Sequence, residues 1–328
     1  MGCEGLRLSS DEARFFRDAD PWGFILFGRN VASPAQMARL TADLRAAVGR
    51  DAPILIDQEG GRVQRMWAPH WQEWAPPLDV VTRLGARADA ALELQFRVIG
   101  AELRAVGIDV NCAPVLDLAR PETHVFLRNR CLGSDPATVA RNGAAVARGL
   151  MAAGVVPVMK HMPGHGAATV DSHKGLPVVT VPGAELRRLD FGPFRELAHL
   201  PMGMTGHMVL QDIADGPTTM SGKAIRTIRE DIGFAGLLLT DDLSMGALGG
   251  PIGPRGRLAL AAGCDIALHC NGAMSEMVSV MTELPQAASD MVTRAEHALS
   301  ARAPQDMVDI DHDLAQYGAI LKEAPGVG

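Results

Sequence analysis

VVPVMKH, residues 155–161, is an apolar run that ends on a lysine and a histidine. It shows no polar alternation, so it suits a strand covered on both faces, the state of strands in a parallel sheet. The same grammar returns in GFILFG (23–28), PILID (53–57), IDVNCAPVLD (108–117), PMGMTGH (201–207), GLLLTDD (236–242) and CDIALHC (264–270). Between these runs lie segments such as PAQMARLTADLRAAV (34–48) and ATVARNGAAVARGLMAAG (137–154). Their apolar residues recur at three- and four-residue steps, and Gly154 is placed to stop the second helix. Strand and helix in alternation predict an α/β fold with a parallel sheet.

The residues with chemical potential stand just after several different runs: Asp57, Asp117, Lys160 and His161, Thr205 and His207, Asp241 and Asp242. In a closed barrel those strand ends converge on one face, where such folds place their sites. In an open sheet they would spread along an edge, and no GxGxxG follows any run to mark a dinucleotide fold. The expected fold is therefore a TIM-like (β/α)8 barrel. Seven runs are visible where eight strands are needed. Ser9 and Glu12 form a capping-box pattern that should start a helix. Only the stub before it is left for a first strand, which is expected to be very short or truncated. The C-terminal quarter reads as helix and tail, so residues 1–328 are expected to form a single catalytic domain.

Composition narrows the partners. The 328 residues carry a formal net charge of −7 and contain no lysine- or arginine-rich run, which argues against nucleic acid and anionic membrane. No stretch of eighteen apolar residues is present to span a bilayer, and the N-terminus has no signal-peptide pattern. Five scattered cysteines without a CxxC pair fit reduced thiols, and a cytoplasmic location is expected.

KHMPGHGAATVDSHKGLP, residues 160–177, concentrates three of the ten histidines. A metal site is one reading, but Pro163 and Gly164 break the helix that His161 and His165 would need, and no glutamate lies in the segment. A structural reading has His165 hydrogen-bonding and bracing a turn. An acid–base reading rests on Asp171 and His173: a carboxylate that accepts from one ring nitrogen fixes the tautomer and raises the basicity of the other. Such a dyad can protonate a leaving group and then deprotonate water.

Two further segments complete the candidates. In LLLTDDLSM (237–245), neighbouring strand-end residues point to opposite sides, so Asp241 is expected to face inward and Asp242 to cap a helix or bind backbone. LIDQEGGRVQR (55–65) offers Asp57 and Glu59, a Gly-Gly turn, then Arg62 and Arg65, a set that suits a polyhydroxylated ligand or an internal ion pair alike. GGPIGPRGR (249–257) reads as a loop. DMVDIDHD (306–313) reads as a solvated acidic turn, because it lacks the glycine and glutamate of a calcium loop.

Taken together, in order along most of the chain, GFILFGRN (23–30), LIDQEGGRVQR, NCAPVLDLA (111–119), RNRCLGSDP (128–136), KHMPGHGAATVDSH, LLLTDDLSM and AAGCDIALHCN (261–271) resemble glycoside hydrolase family 3. More narrowly, they are similar to its single-domain bacterial β-N-acetylglucosaminidases of peptidoglycan recycling. Met162 stands where the family usually has an aromatic, and the N-terminus is shorter than in members with a complete first strand. The resemblance implies a retaining mechanism with Asp241 as nucleophile, His173 as general acid/base and Asp171 as its partner. It implies substrate contacts from Asp57, Arg65, Arg130, Lys160 and His161. The implied substrate is N-acetylglucosamine β-1,4-linked to 1,6-anhydro-N-acetylmuramic acid, with or without peptide. No metal or cofactor is implied, and the protein is expected to work as a monomer. The acid/base loop is expected to close over substrate. A phosphorylase of the same fold is the nearest alternative, and a metal-dependent barrel hydrolase using His161, His165 and His173 a more distant one.

Overall fold

The computed structural model describes residues 1–302 and 307–323. Among the described residues there are eight short strands: β1 Phe24–Leu26, β2 Ile54–Ile56, β3 Val110–Asn111, β4 Val156–Met162, β5 Val178–Val179, β6 Met202–Thr205, β7 Val209–Leu210 and β8 Leu237–Leu239. Six of them form one all-parallel sheet in the order β1-β2-β3-β4-β6-β8. A parallel bridge from Leu239 to Ile266 extends it to the last apolar run. At the far edge, the Ile25 amide donates to the Met1 carbonyl at 3.0 Å, and the Gly2 amide donates to His269 at 2.8 Å. All seven runs thus lie in the sheet or continue it.

The alternation of side chains along a strand explains how the sheet is covered. Ile25, Leu55, Val110, Val156, Val158, Met202, Leu237 and Leu268 meet in one buried cluster on the inner face. Their neighbours Phe24, Leu26, Ile54 and Ile56 pack outward against helices. Residues from both ends of the strand order share the inner cluster, so the sheet is curled.

Helix boundaries follow local chemistry. The helix Ser10–Ala19 has both arms of the capping box, with the Ser9 hydroxyl accepting from Glu12 and the Glu12 carboxylate from Ser9. The helix Pro34–Val48 starts on a proline behind the Ser33 cap and ends at Gly49. Two expectations fail. Residues 249–257 are not a loop throughout, because a helix, Ile252–Ala262, begins there; Pro254 falls in its first turn, where a missing N–H costs nothing. Asp306 lies outside the described residues. The rest of the expected acidic turn opens the helix Ile310–Lys322, with Asp309 as its cap and Asp313 buried in an ion pair with Arg97. No described helix is long and apolar enough to cross a membrane.

A small parallel pair, β5 with β7, joins the segments that follow β4 and β6. The periodicity gave no sign of it, since each strand is two residues long. It tethers the histidine-rich loop to its neighbour.

Candidate active site

The strand ends open into a cavity of about 210 Å³ whose walls include Asp57, Arg65, Arg130, Lys160, His161, His173 and Asp241. Seven of the eight residues expected in the site therefore line one space, and the eighth, Asp171, is bonded to His173.

One wall is a buried ionic group. The Lys160 ammonium lies 2.8 Å from Asp57 and 2.6 Å from Glu59. Arg65 donates to the other Asp57 oxygen at 3.1 Å. Arg130 grips Glu59 with two bonds of 2.8 Å each, the bidentate fork that favours arginine over lysine. Burial works against every charge here, and the partners outweigh it. Lys160 and Arg130 are held above their ordinary ranges, Asp57 well below its own, and Glu59 down to about 2. These four stay ionised at neutral pH, so this wall offers fixed charge and no titrating acid. The Gly60–Gly61 turn makes this possible. Both glycines take positive φ, 93° and 55°, so the chain reverses within two residues, and the Glu59 amide donates back to Val63 at 2.8 Å. Glu59 ends inside, and Arg62 is carried to the rim.

β4 delivers the next pair. Its register against β6 shifts between Met159 and Met162, an irregularity of the kind that re-aims side chains beside sites. Cis peptide bonds join Lys160 to His161 and Met162 to Pro163. The His161 ring donates through Nδ1 to Asp117 at 2.7 Å, which leaves Nε2 as the atom available to a ligand. Asp117 also accepts from the His165 amide at 2.6 Å. It therefore organises the turn after the strand, and its carboxylate is held below the ordinary range: burial alone would raise it, but His161 and His165 outweigh that.

His165 does not brace the turn as expected. Its backbone does that, through Asp117, while both ring nitrogens are buried without a hydrogen-bond partner among the described residues. Burial pulls its pKa down to about 4, so the ring is neutral.

Asp241 follows β8 by two residues. Its Oδ1 accepts from the Asp242 amide at 2.8 Å, and Oδ2 has no protein partner among the described residues. Burial would raise its pKa, but His207, His161, the Asp242 amide and Lys160 hold it below the ordinary range, ionised and available. Asp242 also reaches the cavity wall, yet its oxygens are consumed by the Ser244 amide and hydroxyl and the Cys270 amide. That is the backbone-binding role expected of it. His207 Nε2 donates to the Asp242 carbonyl at 2.9 Å, and Nδ1 accepts from Thr219, whose oxygen lies 2.8 Å from that of Thr205. The chain Thr205–Thr219–His207 thereby fixes the backbone that presents Asp241.

The dyad approaches on the loop after β4. The His173 ring and amide both donate to Asp171 Oδ1 at 3.0 Å, which leaves Nε2 free at the cavity. Asp171 stays below the ordinary carboxylate range, because the bonds from His173 outweigh its partial burial. The loop is tied to its surroundings at three points. Thr123 donates to Gly166 at 2.6 Å, Ala247 to Ser172 at 3.1 Å and Val209 to Pro177 at 2.8 Å. Gly246 has no side chain to spare, since a Cβ there would lie 2.8 Å from the His173 carbonyl. The His173 ring meets Phe126 edge-on, with centroids 4.7 Å apart.

Glu59, Asp117 and His207 were named in the sequence without an assigned role, and Phe126 was not named. Asp117 and His207 ended apolar runs, a signal that was present. Glu59 was visible in LIDQEGG without a reason to prefer it. Phe126 sits on a four-residue helix, Val125–Arg128, that no periodicity could announce. Among the described residues, no three His, Cys, Asp or Glu side chains are grouped so as to hold a metal ion, so His161, His165 and His173 do not form such a site.

Residues 6–301 match the family model described as the glycosyl hydrolase family 3 N terminal domain. A β-hexosaminidase of Alkalilimnicola ehrlichii is 39% identical over 278 residues, covering 83% of this chain and 80% of that protein. NagZ of Neisseria gonorrhoeae in complex with N-trifluoroacetyl-D-glucosamine superposes with a TM-score of 0.87 at 29% identity, over 98% of this chain and 96% of that one. A family 3 β-N-acetylglucosaminidase from Paenibacillus sp. gives 0.85 at 28% identity, over 97% of this chain and 66% of that one.

Proposed function

The chain belongs to glycosyl hydrolase family 3 and is a glycoside hydrolase of the β-N-acetylhexosaminidase type, and from that premise we propose a retaining enzyme acting on muropeptides. Its substrate is N-acetylglucosamine β-1,4-linked to 1,6-anhydro-N-acetylmuramic acid, with or without peptide. The observation that carries the reading is a division of labour around one cavity. Asp241 is ionised with a free oxygen, and the Asp171–His173 dyad presents the imidazole Nε2 of His173 to the same cavity.

The steps follow from that division. Asp241 Oδ2 attacks the anomeric carbon as the glycosidic bond breaks, and His173 Nε2 gives its proton to the departing oxygen. The ionised carboxylate stabilises the positive charge that develops on the sugar. Water then attacks the same carbon, His173 takes a proton from it, and Asp241 is released with configuration retained. Asp171 holds the ring through Nδ1 and offsets its charge when protonated. Asp57, Arg65, Arg130, Lys160 and His161 hold the sugar's hydroxyl and acyl groups.

The curled sheet is taken as a TIM-like (β/α)8 barrel. The Leu239–Ile266 bridge and the bonds of Met1 and Gly2 to Ile25 and His269 support closure through residues 1–3. Five unpaired, buried thiols support a reducing compartment, the cytoplasm, as the place of work.

The test is incubation with the disaccharide, with the products followed by proton NMR. The β-anomer of free N-acetylglucosamine should appear first and then mutarotate. First release of the α-anomer, or no cleavage, would contradict the proposal.

A further inference from the structure

Four cationic side chains line the cavity: Arg62, Arg65, Arg130 and Lys160. Three are committed to carboxylates: Arg65 to Asp57, Arg130 to Glu59, and Lys160 to both. Arg62 has no ion-pair partner among the described residues. Its guanidinium lies over the Phe126 ring, 4.8 Å from the centroid, and donates to the Phe126 carbonyl. A carbonyl leaves most of the guanidinium fork unused.

The position of Arg62 gives that surplus charge a meaning. Phe126 has Arg62 on one face and the His173 ring against its edge, 4.7 Å away. If His173 reaches the glycosidic oxygen, the next groups outward from it touch the leaving group rather than the sugar being cleaved off. The tight Gly60–Gly61 turn separates the two arms of the segment accordingly, with buried Glu59 joined to the sugar-holding cations and exposed Arg62 at the rim beside the dyad. Asp171, in the same corner, would repel an anionic leaving group unless an unpaired cation offset it. Stacking on an aromatic face holds a guanidinium flat and in place while its N–H edge remains open to a planar anion.

We infer that Arg62, seated on Phe126, selects leaving groups that carry a carboxylate next to the scissile bond. This rests on the N-acetylglucosaminidase reading above. It deepens that reading by assigning a leaving-group subsite, with Arg62 as specificity residue and Phe126 as its platform.

The experiment compares two aryl β-N-acetylglucosaminides, of 3-hydroxybenzoate and of 3-hydroxybenzamide, in wild type, Arg62→Gln and Arg62→Lys. The quantity read is the ratio of kcat/KM for acid over amide, and its change between enzymes cancels any intrinsic difference between the two phenols. Arg62→Gln should lower the ratio on the order of 10-fold, the scale of one charge-assisted bond at a half-open site. Arg62→Lys should keep part of the preference, and concentrated salt should shrink it in wild type. An equal ratio in wild type and Arg62→Gln overturns the role of Arg62 and leaves the enzymatic reading standing. Failure of wild type to cleave either glycoside overturns that reading, and this inference with it.

Discussion

Glu59→Gln tests whether the buried ionic wall is held together by one carboxylate. Glu59 is 2% exposed and takes two bonds from Arg130 and a third contact from Lys160. The substitution leaves Lys160 paired with Asp57 alone and takes from Arg130 the one ion-pair partner it has among the described residues. Two routes give the cost. Breaking a buried pair by removing one partner destabilises by about 3–5 kcal/mol. Independently, a carboxyl lowered from 4.5 to about 2 is stabilised by about 3 kcal/mol in the folded state. The sign is that of a depressed acid: the stability is fully present above pH 4.5 and is lost as pH falls through about 2. For 328 residues the unfolding entropy is roughly 0.7 kcal/mol per kelvin, so the loss should lower Tm by about 4–7 °C. Thermal unfolding followed by circular dichroism at pH 6, 7 and 8 measures it, and the drop should be the same at each pH because Glu59 is ionised throughout. A loss of under 1 °C would refute the reasoning, as would a loss that appears only above neutrality. A double-mutant cycle with Arg130→Met should show strong coupling between the two sites.

Three further outcomes follow from the site and its surroundings. His173→Ala should cost far more activity on a sugar leaving group than on nitrophenol, which departs without a proton; an equally severe loss on both would argue against His173 as the acid. Turnover in phosphate should yield free N-acetylglucosamine, whereas sugar 1-phosphate as the main product would favour the phosphorylase. Away from the site, burial raises Glu102 to about 7, with one oxygen accepting from the Gln72 amide and the other without a partner among the described residues. An acid raised in the folded state contributes stability that is present below pH 4.5 and fades as pH rises through about 7. Glu102→Gln should therefore flatten the pH dependence of unfolding and gain up to about 3 kcal/mol above neutrality; an unchanged slope between pH 5 and 8 would contradict this.

The sheet was legible because its strands are buried on both faces and so read as unbroken apolar runs, each ending on a polar residue at the cavity. VVPVMKH became β4 with Lys160 and His161 at its end, and GLLLTDD became β8 with Asp241 beyond it. The residues that hold other residues were harder to see. Glu59 and Asp117 act through partners 71 and 44 positions away, Arg130 and His161, and local spacing carries no trace of such pairing. The loop's ties were hidden for the same reason: Gly246 and Ala247 meet His173 and Ser172 only in the folded chain. His165 misled because an imidazole on a turn is expected to hydrogen-bond through its ring, while here the backbone amide carries the bond.

The covalent role of Asp241 is the centre of the account, and trapping tests it most directly. His173→Ala lacks the base that releases the sugar, so an activated dinitrophenyl β-N-acetylglucosaminide should load the protein faster than water unloads it. Mass spectrometry of the quenched reaction should show one added N-acetylglucosaminyl group, and peptide mapping should place it on Asp241. An adduct on another residue would contradict the account, as would steady turnover with no adduct and inverted product.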